Sequence, residues 1–254
     1  MDCIKISAVI ITLNEEKNIQ ECIDSLKDVV DEIVVVDSHS IDKTEEICRN
    51  NGVRFLHHEW EGHGGQKNWG NAQASYDYIL SLDADERLSD DLKKAILVIK
   101  KDWQSDVYSV NRLTYFHGRK MKYGFYPDRQ LRLFDRRKAQ WNSTFHDRII
   151  INKGVKLKSI RKDVLHYANK DIHELVDTLN NNSTLFAQDR IGLGKPSYLK
   201  LIFSPIFEFI KTYFLKLGFL EGVFGFIISL NMAHYRFLKY AKRIELYKIN
   251  KQKQ

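Results

Sequence analysis

Two carboxylates lie two residues apart directly after an apolar run of strand length. The run covers residues 78–82, and Asp83 and Asp85 follow it in the order Asp-Ala-Asp-Glu. Carboxylates in this arrangement can converge on one hard cation, which keeps waters and takes its remaining ligands from substrate phosphates. Such a cation would neutralise a departing diphosphate. Because aspartate also favours turns, an acidic surface turn is the alternative interpretation.

Two earlier polar clusters also follow apolar runs. Residues 12–16 read Thr-Leu-Asn-Glu-Glu, and residues 36–44 read Val-Asp-Ser-His-Ser-Ile-Asp-Lys-Thr. Their carboxylates suit ribose hydroxyls or a base imide N–H, as in dinucleotide folds where an acid binds the ribose. Helix capping by Asn14, and by Asp42 or Ser40, is the alternative, and both roles can hold together.

The elements that must position these clusters alternate between strands and helices. Apolar runs predict strands over residues 6–13, 32–36, 53–57 and 78–82. Helical spacing of apolar residues predicts helices over 16–28, 44–50 and 66–75. This alternation predicts an α/β fold with a mostly parallel, Rossmann-like sheet flanked by helices. Ligands bind such sheets at the carboxyl ends of the strands, where all three clusters lie.

The second half of the chain has a looser pattern. Further strands are predicted over residues 107–113, 130–134, 149–151 and 164–166, and a helix over 171–188. The turn-rich stretch Gly-Leu-Gly-Lys-Pro at 192–196 predicts a boundary. We therefore expect a catalytic domain over residues 1–194 and a helical extension over 195–254.

The net charge of +7 is concentrated in the extension. Residues 195–254 hold eleven Lys or Arg, three acids and 13 of the chain's 30 aromatic residues, whereas the rest of the chain is nearly neutral. Nucleic-acid surfaces usually present basic residues on a more polar face, so we expect no nucleic-acid partner. The longest charge-free run, 222–235, is shorter than the ~20 residues that cross a bilayer. We expect the extension to lie in an anionic membrane surface, with packing on the body or on a second copy as the alternative.

Composition and cysteine usage narrow the class further. The 43% hydrophobic and 29% charged content argues against a disordered tail, a collagen-like fibre and a disulfide scaffold. Cys3, Cys22 and Cys48 show no metal-ligand spacing, and we expect them to be buried thiols in a reducing compartment. The N-terminal residues lack signal-peptide features, which favours a cytoplasmic location.

The ordered motifs of residues 7–88 resemble the nucleotide-sugar-binding half of the inverting GT-A glycosyltransferases of family 2. The matching elements are T-L-N-E after the first strand, V-D-S-x-S-x-D-x-T after the second, and D-A-D-E after a later one. The stretch G-G-Q-K-N at 64–68 and the C-terminal pattern S-P-I-F-E-F-I-K-T-Y-F-L-K-L-G-F-L-E-G-V-F-G-F resemble the lipopolysaccharide core β-glucosyltransferases. The resemblance covers nearly the whole chain.

The resemblance implies a nucleotide-sugar pocket and a divalent metal, Mg²⁺ or Mn²⁺. The pocket residues implied are Thr12, Asn14, Glu15, Asp37, Lys67 and Asp83. The metal ligands implied are Asp83 and Asp85. Two positions depart from the family pattern, since His39 stands where Gly is common and Ile41 where Thr is common. Gly there would supply a positive φ that His tolerates less easily, so we expect the loop after the second strand to be shifted.

An acceptor-side segment also resembles the family. Arg-Leu-Phe-Asp-Arg at 132–136, then Trp141, then Phe-His-Asp at 145–147, follow the family pattern R-L-F-x-R…W…H-E/D. By that resemblance Asp147 is the general base that takes a proton from the attacking hydroxyl. His146 would orient it, whereas a bare His-Asp pair alone would indicate a surface turn or ion pair.

Five further residues have two interpretations each. His166 is either a satisfied strand residue or a third metal ligand. The other four are arginines that either bind phosphates or an anionic acceptor, or are solvated surface residues. They are Arg129, Arg132, Arg136 and Arg137.

Together these features predict an inverting, metal-dependent hexosyltransferase. Its donor would be a UDP-sugar, with UDP-glucose favoured, and its acceptor a lipid-linked oligosaccharide such as lipopolysaccharide inner core. The enzyme would be cytoplasmic and peripherally attached to the inner face of the cell membrane. A polyprenyl phosphate acceptor, which needs no base, is one alternative. A membrane- or nucleic-acid-binding protein with an inactive GT-A fold is another, and intact Asp83, Asp85 and Asp147 argue against it.

Overall fold

The computed structural model describes residues 3–142, 149–151 and 153–252. The chain divides into two compact units. The first consists of Met1–Leu113 and Asp128–Ala168, and the second of Thr114–Pro127 and Asn169–Gln254. The second unit, as its internal contacts define it, therefore includes residues before 195. The predicted membrane-associating extension, residues 195–254, is one part of this unit.

The strands form one large mixed sheet and a separate two-stranded sheet of β9 and β10. They are β1 (Ile6–Thr12), β2 (Glu32–Asp37), β3 (Arg54–His57), β4 (Tyr78–Asp83), β5 (Glu86–Leu88), β6 (Val107–Phe116), β7 (Arg119–Lys120), β8 (Asp128–Asp135), β9 (Ala139–Trp141), β10 (Ile149–Ile151) and β11 (Leu157–Asn169). The large sheet has the order β3-β2-β1-β4-β8-β6-β11-β5, with β7 paired to β6. The first four strands of this path are parallel, whereas β8 is antiparallel to both of its neighbours.

The helices confirm the predicted α/β class. They are α1 (Ile19–Asp24), α2 (Thr44–Asn50), α3 (Gly62–Gln73), α4 (Asp90–Lys101), α5 (Ile172–Gln188), α6 (Tyr198–Phe209) and α7 (Gly222–Gln252). A π-helical turn, Ile210–Leu215, and a 3₁₀ turn, Gly218–Glu221, connect α6 to α7. The first three helices connect the parallel strands, as the alternating pattern predicted.

The core of the first unit has two apolar clusters, one on each face of the sheet. All seven residues of β1 are buried, because side chains alternate between two covered faces. Ala8 and Ile10 pack with α1 on one face, and Val9 packs with Val34 and Val36 of β2 on the other. This explains why β1 is a continuous apolar run in the sequence.

Strand register brings the predicted polar clusters to one edge. Thr12 of β1 pairs with Asp37 of β2, Asp37 pairs with His57 of β3, and Ile11 pairs with Asp83 of β4. Parallel strands end at the same edge of a sheet, so the three clusters lie along one rim.

The three cysteines differ from the expectation at one position. Cys22 and Cys48 are buried thiols, and burial raises the pKa of the Cys48 thiol to about 12. Cys3 is exposed instead of buried, because it precedes the first residue of β1.

The second unit consists of α5, α6 and α7 with the hairpin segment 114–127. The helix α7 packs against both α5 and α6. Glu221 holds the hairpin through its Oε1 atom, which accepts hydrogen bonds from the backbone N–H groups of Lys122 at 2.6 Å and Tyr123 at 2.8 Å. Phe116 and Ile228 belong to the apolar cluster of this unit.

Within the described residues, no single helix has both the length and the apolar character needed to cross a membrane. One pair of helical segments, Tyr198–Leu215 and Gly218–Gln252, meets that requirement only when taken together, and the pair is bent by 70°.

Gly70 supplies a test of the close packing between α3 and the sheet. A Cβ atom at this position would lie 2.7 Å from Val9 Cγ1 and 2.7 Å from Val36 Cγ2. Helix propensity alone would make Gly70→Ala stabilising by about 1 kcal/mol. Because both valines are buried in β1 and β2, we expect overpacking to prevail and lower the free energy of unfolding by about 1–2 kcal/mol. Urea unfolding measures this, and a more stable variant would contradict the close approach.

Candidate active site

The loops after β1 and β2 are bonded to each other. The backbone N–H of Asn14 donates to Ser40 Oγ at 2.7 Å, and Asn14 Oδ1 accepts from the backbone N–H of Ile41 at 2.9 Å. The backbone N–H of Glu15 donates to Thr44 Oγ1 at 2.9 Å. Asn14 therefore bonds to the neighbouring loop instead of capping α1, whose N-cap residue is Asn18.

His39 adopts the left-handed conformation that glycine favours, with φ of 63°. Its ring stacks on that of His57, with centroids 5.3 Å apart and planes 2° from parallel. Its Nε2 atom lies 3.0 Å from Glu59 Oε1. The backbone thus takes the positive φ that a glycine would supply, a conformation that a histidine adopts at some cost.

Asp37 is fully buried at the end of β2. Its Oδ2 atom accepts a hydrogen bond from the backbone N–H of Ser40 at 2.8 Å, and its Oδ1 atom accepts one from Ser40 Oγ. His57 Nδ1 lies 3.3 Å from the same Oδ2 atom. No motif in the sequence points to His57, and its place at the end of β3 is the available signal.

Lys67 is buried between a carboxylate and an aromatic ring. Its Nζ atom lies 2.9 Å from Asp83 Oδ1 and 4.4 Å from the centroid of the Trp141 ring. A buried ammonium needs such a partner, because burial without one would be costly. The helix α3 therefore brings its cation to the end of β4, next to the first carboxylate of D-A-D-E.

The residues beside Lys67 fix α3 in place. Gln66 Nε2 donates to Ser38 Oγ at 2.9 Å and to the carbonyl of His58 at 3.1 Å. Asn68 bonds the backbone of Trp141 in both directions, at 2.8 and 2.9 Å. The Q-K-N stretch thus bonds to three other parts of the first unit, and the family resemblance implies a role only for its lysine.

A second cation holds the other oxygen of Asp83. The guanidinium of Arg132, on β8, lies 2.9 Å from Asp83 Oδ2 and 2.5 Å from Glu86 Oε1. Glu86 Oε2 also accepts from the backbone N–H of Asp83 at 3.1 Å. Burial raises the pKa of the Asp83 carboxyl, but the charges of Lys67 and Arg132 outweigh it and hold that pKa well below its usual range. Asp83 is therefore an anion at neutral pH.

The arginines that could have clamped phosphates mostly bind the protein itself. Arg132 is only 2% exposed and is occupied by Asp83 and Glu86. Arg136 bonds Asp77 and two backbone carbonyls, and Arg137 bonds Asp135. Arg129 is exposed.

Asp85 has one carboxylate oxygen available for a ligand. Its Oδ2 atom lies 3.4 Å from His166 Nε2, whereas its Oδ1 atom is buried and has no hydrogen-bond partner within the described part of the chain. An orphaned carboxylate oxygen is costly unless something else binds it. This donor fits a divalent cation, and Asp83 lies two residues away.

The described residues alone do not surround a metal ion. Among the described residues, no group of three or more His, Cys, Asp or Glu side chains has an arrangement that could hold one. Hard cations that bind phosphates commonly take one or two carboxylates from the protein and the rest of their ligands from substrate and water. Asp83 and Asp85 fit that mode of binding.

The predicted base, Asp147, and its neighbour His146 lie outside the described residues. Trp141, in the described stretch before them, is bonded through its backbone by Asn68. Its ring lies beside the Lys67–Asp83 ion pair.

Sequence comparison identifies the family. Residues 7–164 match the model of glycosyl transferase family 2. The lipopolysaccharide core biosynthesis glycosyltransferase LpsC of Rhizobium meliloti is 33% identical over 251 residues, which cover 93% of this chain and 91% of that protein. An uncharacterised glycosyltransferase of Rickettsia typhi is 34% identical over 255 residues, which cover 95% of this chain and 87% of its own length.

Among solved structures, S. aureus TarS in complex with UDP-GlcNAc matches 99% of this chain and 93% of its own, with 15% identity and a TM-score of 0.47. The family match covers more than half of this chain, and both relatives cover more than nine-tenths of it. The protein therefore belongs to glycosyl transferase family 2 and has a GT-A-like mixed sheet with flanking helices.

Proposed function

We propose that this glycosyltransferase moves a sugar, with inversion, from a UDP-sugar to a lipid-linked saccharide. UDP-glucose is the favoured donor, and lipopolysaccharide inner core is the favoured acceptor class. The observation that carries the proposal is the pair of carboxylates after β4. Asp83 is held by two cations, and Asp85 keeps a buried oxygen without a hydrogen-bond partner in the described residues. LpsC, which is a lipopolysaccharide core biosynthesis glycosyltransferase, supports the acceptor class.

The rim of the sheet supplies the donor site in this proposal. Thr12, Asn14 and Glu15 line the nucleotide pocket after β1, and Asp37 binds the uracil or ribose. Two features support this assignment: the buried Thr12 Oγ1 has no partner among the described residues, and Asp37 is adjacent in register. Lys67 lies beside Asp83, where it can meet a phosphate or the base.

Asp83 and Asp85 would hold the divalent metal, Mg²⁺ or Mn²⁺. When bound, this metal neutralises the negative charge of the departing diphosphate. Asp83 keeps its charge for this role, because Lys67 and Arg132 hold its pKa well below the usual range. The two cations also fix the Asp83 side chain, so that binding does not have to order it.

Asp147 is the proposed general base. Inverting transfer is one direct displacement at the anomeric carbon, so the base must face the acceptor, opposite the leaving diphosphate. The hydroxyl of the acceptor loses its proton to the carboxylate as its oxygen bonds to the anomeric carbon. No covalent enzyme intermediate forms. A lipid-linked acceptor places this reaction at the cytoplasmic face of the cell membrane, with the enzyme attached peripherally.

The donor is identified by incubation with a panel of nucleotide sugars and Mn²⁺, with hydrolysis or transfer followed by mass spectrometry. We expect turnover of a UDP-hexose, with UDP-glucose the best. Turnover of only non-uridine donors would contradict the nucleotide assignment, and no turnover of any donor would favour the inactive-fold alternative.

Asp85→Ala tests the metal site. We expect loss of transfer with the fold retained, because Asp85 lies on the rim and holds no apolar core. Transfer measured by mass spectrometry and the midpoint of urea unfolding report the two properties separately. EDTA should stop the wild-type enzyme, and Mn²⁺ or Mg²⁺ should restore it.

Asp90→Ala is the matched control, because its side chain is a nearby carboxylate that is 90% exposed at the start of α4. This variant should keep full activity. Full activity of Asp85→Ala, or wild-type activity that survives EDTA, would be fatal to the metal assignment.

Asp147→Asn tests the base. The amide keeps the shape of the side chain and removes the proton acceptor, so we expect UDP-sugar affinity to change little and kcat to fall about a thousandfold. Calorimetry measures the affinity, and initial rates measure kcat.

Asp91→Asn is the control for this loss, because Asp91 is an exposed carboxylate that pairs with Lys162 at 3.1 Å and is not a candidate base. Lost donor binding in Asp147→Asn would make Asp147 a nucleotide-side residue. Near-normal turnover would indicate another carboxylate as the base, with Asp128, Asp135 and Asp163 the nearest candidates, or a phosphate acceptor that needs no base.

A further inference from the structure

The outward face of α6 is apolar along its length. Large apolar side chains recur on it with a period of four residues and continue through the π-helical turn, each at least 43% exposed. They are Tyr198, Leu199, Ile202, Phe203, Ile206, Phe207, Ile210 and Phe214. A surface helix of a soluble domain presents polar residues on this side. The face is therefore larger than isolated exposed side chains explain.

The connection between α6 and α7 continues this face. Its exposed apolar residues are Leu215, Leu217, Phe219 and Leu220, and Val223 follows in the first turn of α7; their exposure is 43–69%. We call these five residues and the eight above the apolar face. The connection is held by close backbone packing, since a Cβ atom on Gly225 would lie 1.9 Å from the carbonyl oxygen of Gly218. The exposed side chains are thus carried by a tightly packed turn.

Polar groups lie on the opposite, inner side of the same helices. Glu208 is 5% exposed and Thr212 is 2% exposed. Glu208 lies 2.9 Å from the guanidinium of Arg236 and 3.1 Å from Lys211 Nζ. Thr212 Oγ1 donates to the carbonyl of Glu208 at 2.8 Å. Apolar groups outside and paired polar groups inside are typical of helices that face lipid.

The acids of this segment do not contribute negative charge to the apolar face. Between residues 195 and 230 the sequence has two acids, Glu208 and Glu221. Glu208 is buried with Arg236, and Glu221 accepts two backbone hydrogen bonds from the hairpin segment 114–127. Exposed lysines remain before α6, in its first turn and after the π-helical turn, at Lys195, Lys200 and Lys216. The face therefore presents apolar side chains and positive charge.

This combination selects the partner. Two copies of the face would bring lysines of the same sign together, which opposes a symmetric dimer. A nucleic acid would meet aromatic and aliphatic side chains where it needs polar ones. An anionic lipid leaflet satisfies both components, because acyl chains accept the apolar groups while phosphates attract the lysines.

We infer that the apolar face inserts into one leaflet of an anionic membrane. The apolar side chains then lie ~5–10 Å below the headgroups, which is the depth usual for interfacial helices, with the lysines at the phosphate level. The 70° bend lets both segments lie against the leaflet without crossing it. The inference deepens the proposed attachment to the membrane, but it rests on the second unit alone and is independent of the transfer reaction.

Flotation of the full chain tests the insertion. The vesicles are phosphatidylcholine with and without phosphatidylglycerol, at low and high salt. We expect binding to the anionic vesicles that weakens but persists at high salt, because salt screens the lysines and not the apolar contacts. Phe203→Asp and Leu220→Asp should each reduce partitioning of the protein into vesicles about ten- to hundredfold. Each variant removes one large apolar side chain that the leaflet would bury.

The controls carry the same charge change at exposed apolar residues elsewhere. Val98→Asp is on α4 of the first unit, where the side chain is 67% exposed, and Ile249→Asp is near the end of α7, at 41% exposure. Both should float like the wild type. All four variants should match the wild type in urea unfolding and in UDP-sugar hydrolysis, which separates failure of this inference from failure of the proposed transfer.

A tryptophan probe measures depth directly. The four native tryptophans, Trp60, Trp69, Trp103 and Trp141, belong to the first unit. In Leu220→Trp we expect additional fluorescence that brominated acyl chains quench, beyond the quenching seen in the wild type.

Three results would overturn the inference. One is flotation of the two apolar-face variants at the wild-type level. Another is binding that vanishes at high salt without bromolipid quenching, which would make the attachment electrostatic only. The third is a stable dimer without lipid in which the new tryptophan is already shielded, which would assign the face to a second copy.

Discussion

The site depends on one buried group of charges around Asp83. Lys67 comes from α3, Arg132 from β8 and Glu86 from β5, so the group joins three elements to the end of β4. Removing one member of such a group leaves its partners buried and unpaired, which is strongly destabilising. The end of β4 is therefore held as a unit, and with it the turn that carries Asp85.

This arrangement gives the two carboxylates of D-A-D-E, Asp83 and Asp85, different electrostatic surroundings. The protein's own cations satisfy Asp83, and the low pKa of its carboxyl follows from their charge. Asp85 Oδ2 lies 3.4 Å from His166 Nε2, and Asp85 Oδ1 has no hydrogen-bond partner in the described residues. Spacing alone makes the two aspartates equivalent. Their surroundings fix the Asp83 carboxylate as an anion and leave one oxygen of Asp85 without a hydrogen-bond partner in the described residues.

The sequence predicts the rim because strand ends depend on local patterns. The apolar runs and the polar residues after them placed Thr12, Asp37 and Asp83 correctly at one edge, since parallel strands share that edge. Side-chain partners depend on tertiary placement instead. No local sequence pattern shows that Arg132 forms ion pairs with Asp83 and Glu86, or that His57 lies beside Asp37.

Both units have a buried apolar cluster, but α6 of the second unit also turns apolar side chains outward and polar ones inward, and composition alone does not reveal this. In the first unit, apolar strands fill the interior and the charged residues that enter it are paired. In the second, Glu208 and Thr212 turn inward while Phe203 and Phe207 turn outward. An apolar, basic stretch has the same composition whether its phenylalanine side chains are buried in a core or exposed on a surface. The paired polar groups decide between the two cases. They occupy the inner side of α6, where the apolar residues would lie if they formed the core of a soluble protein.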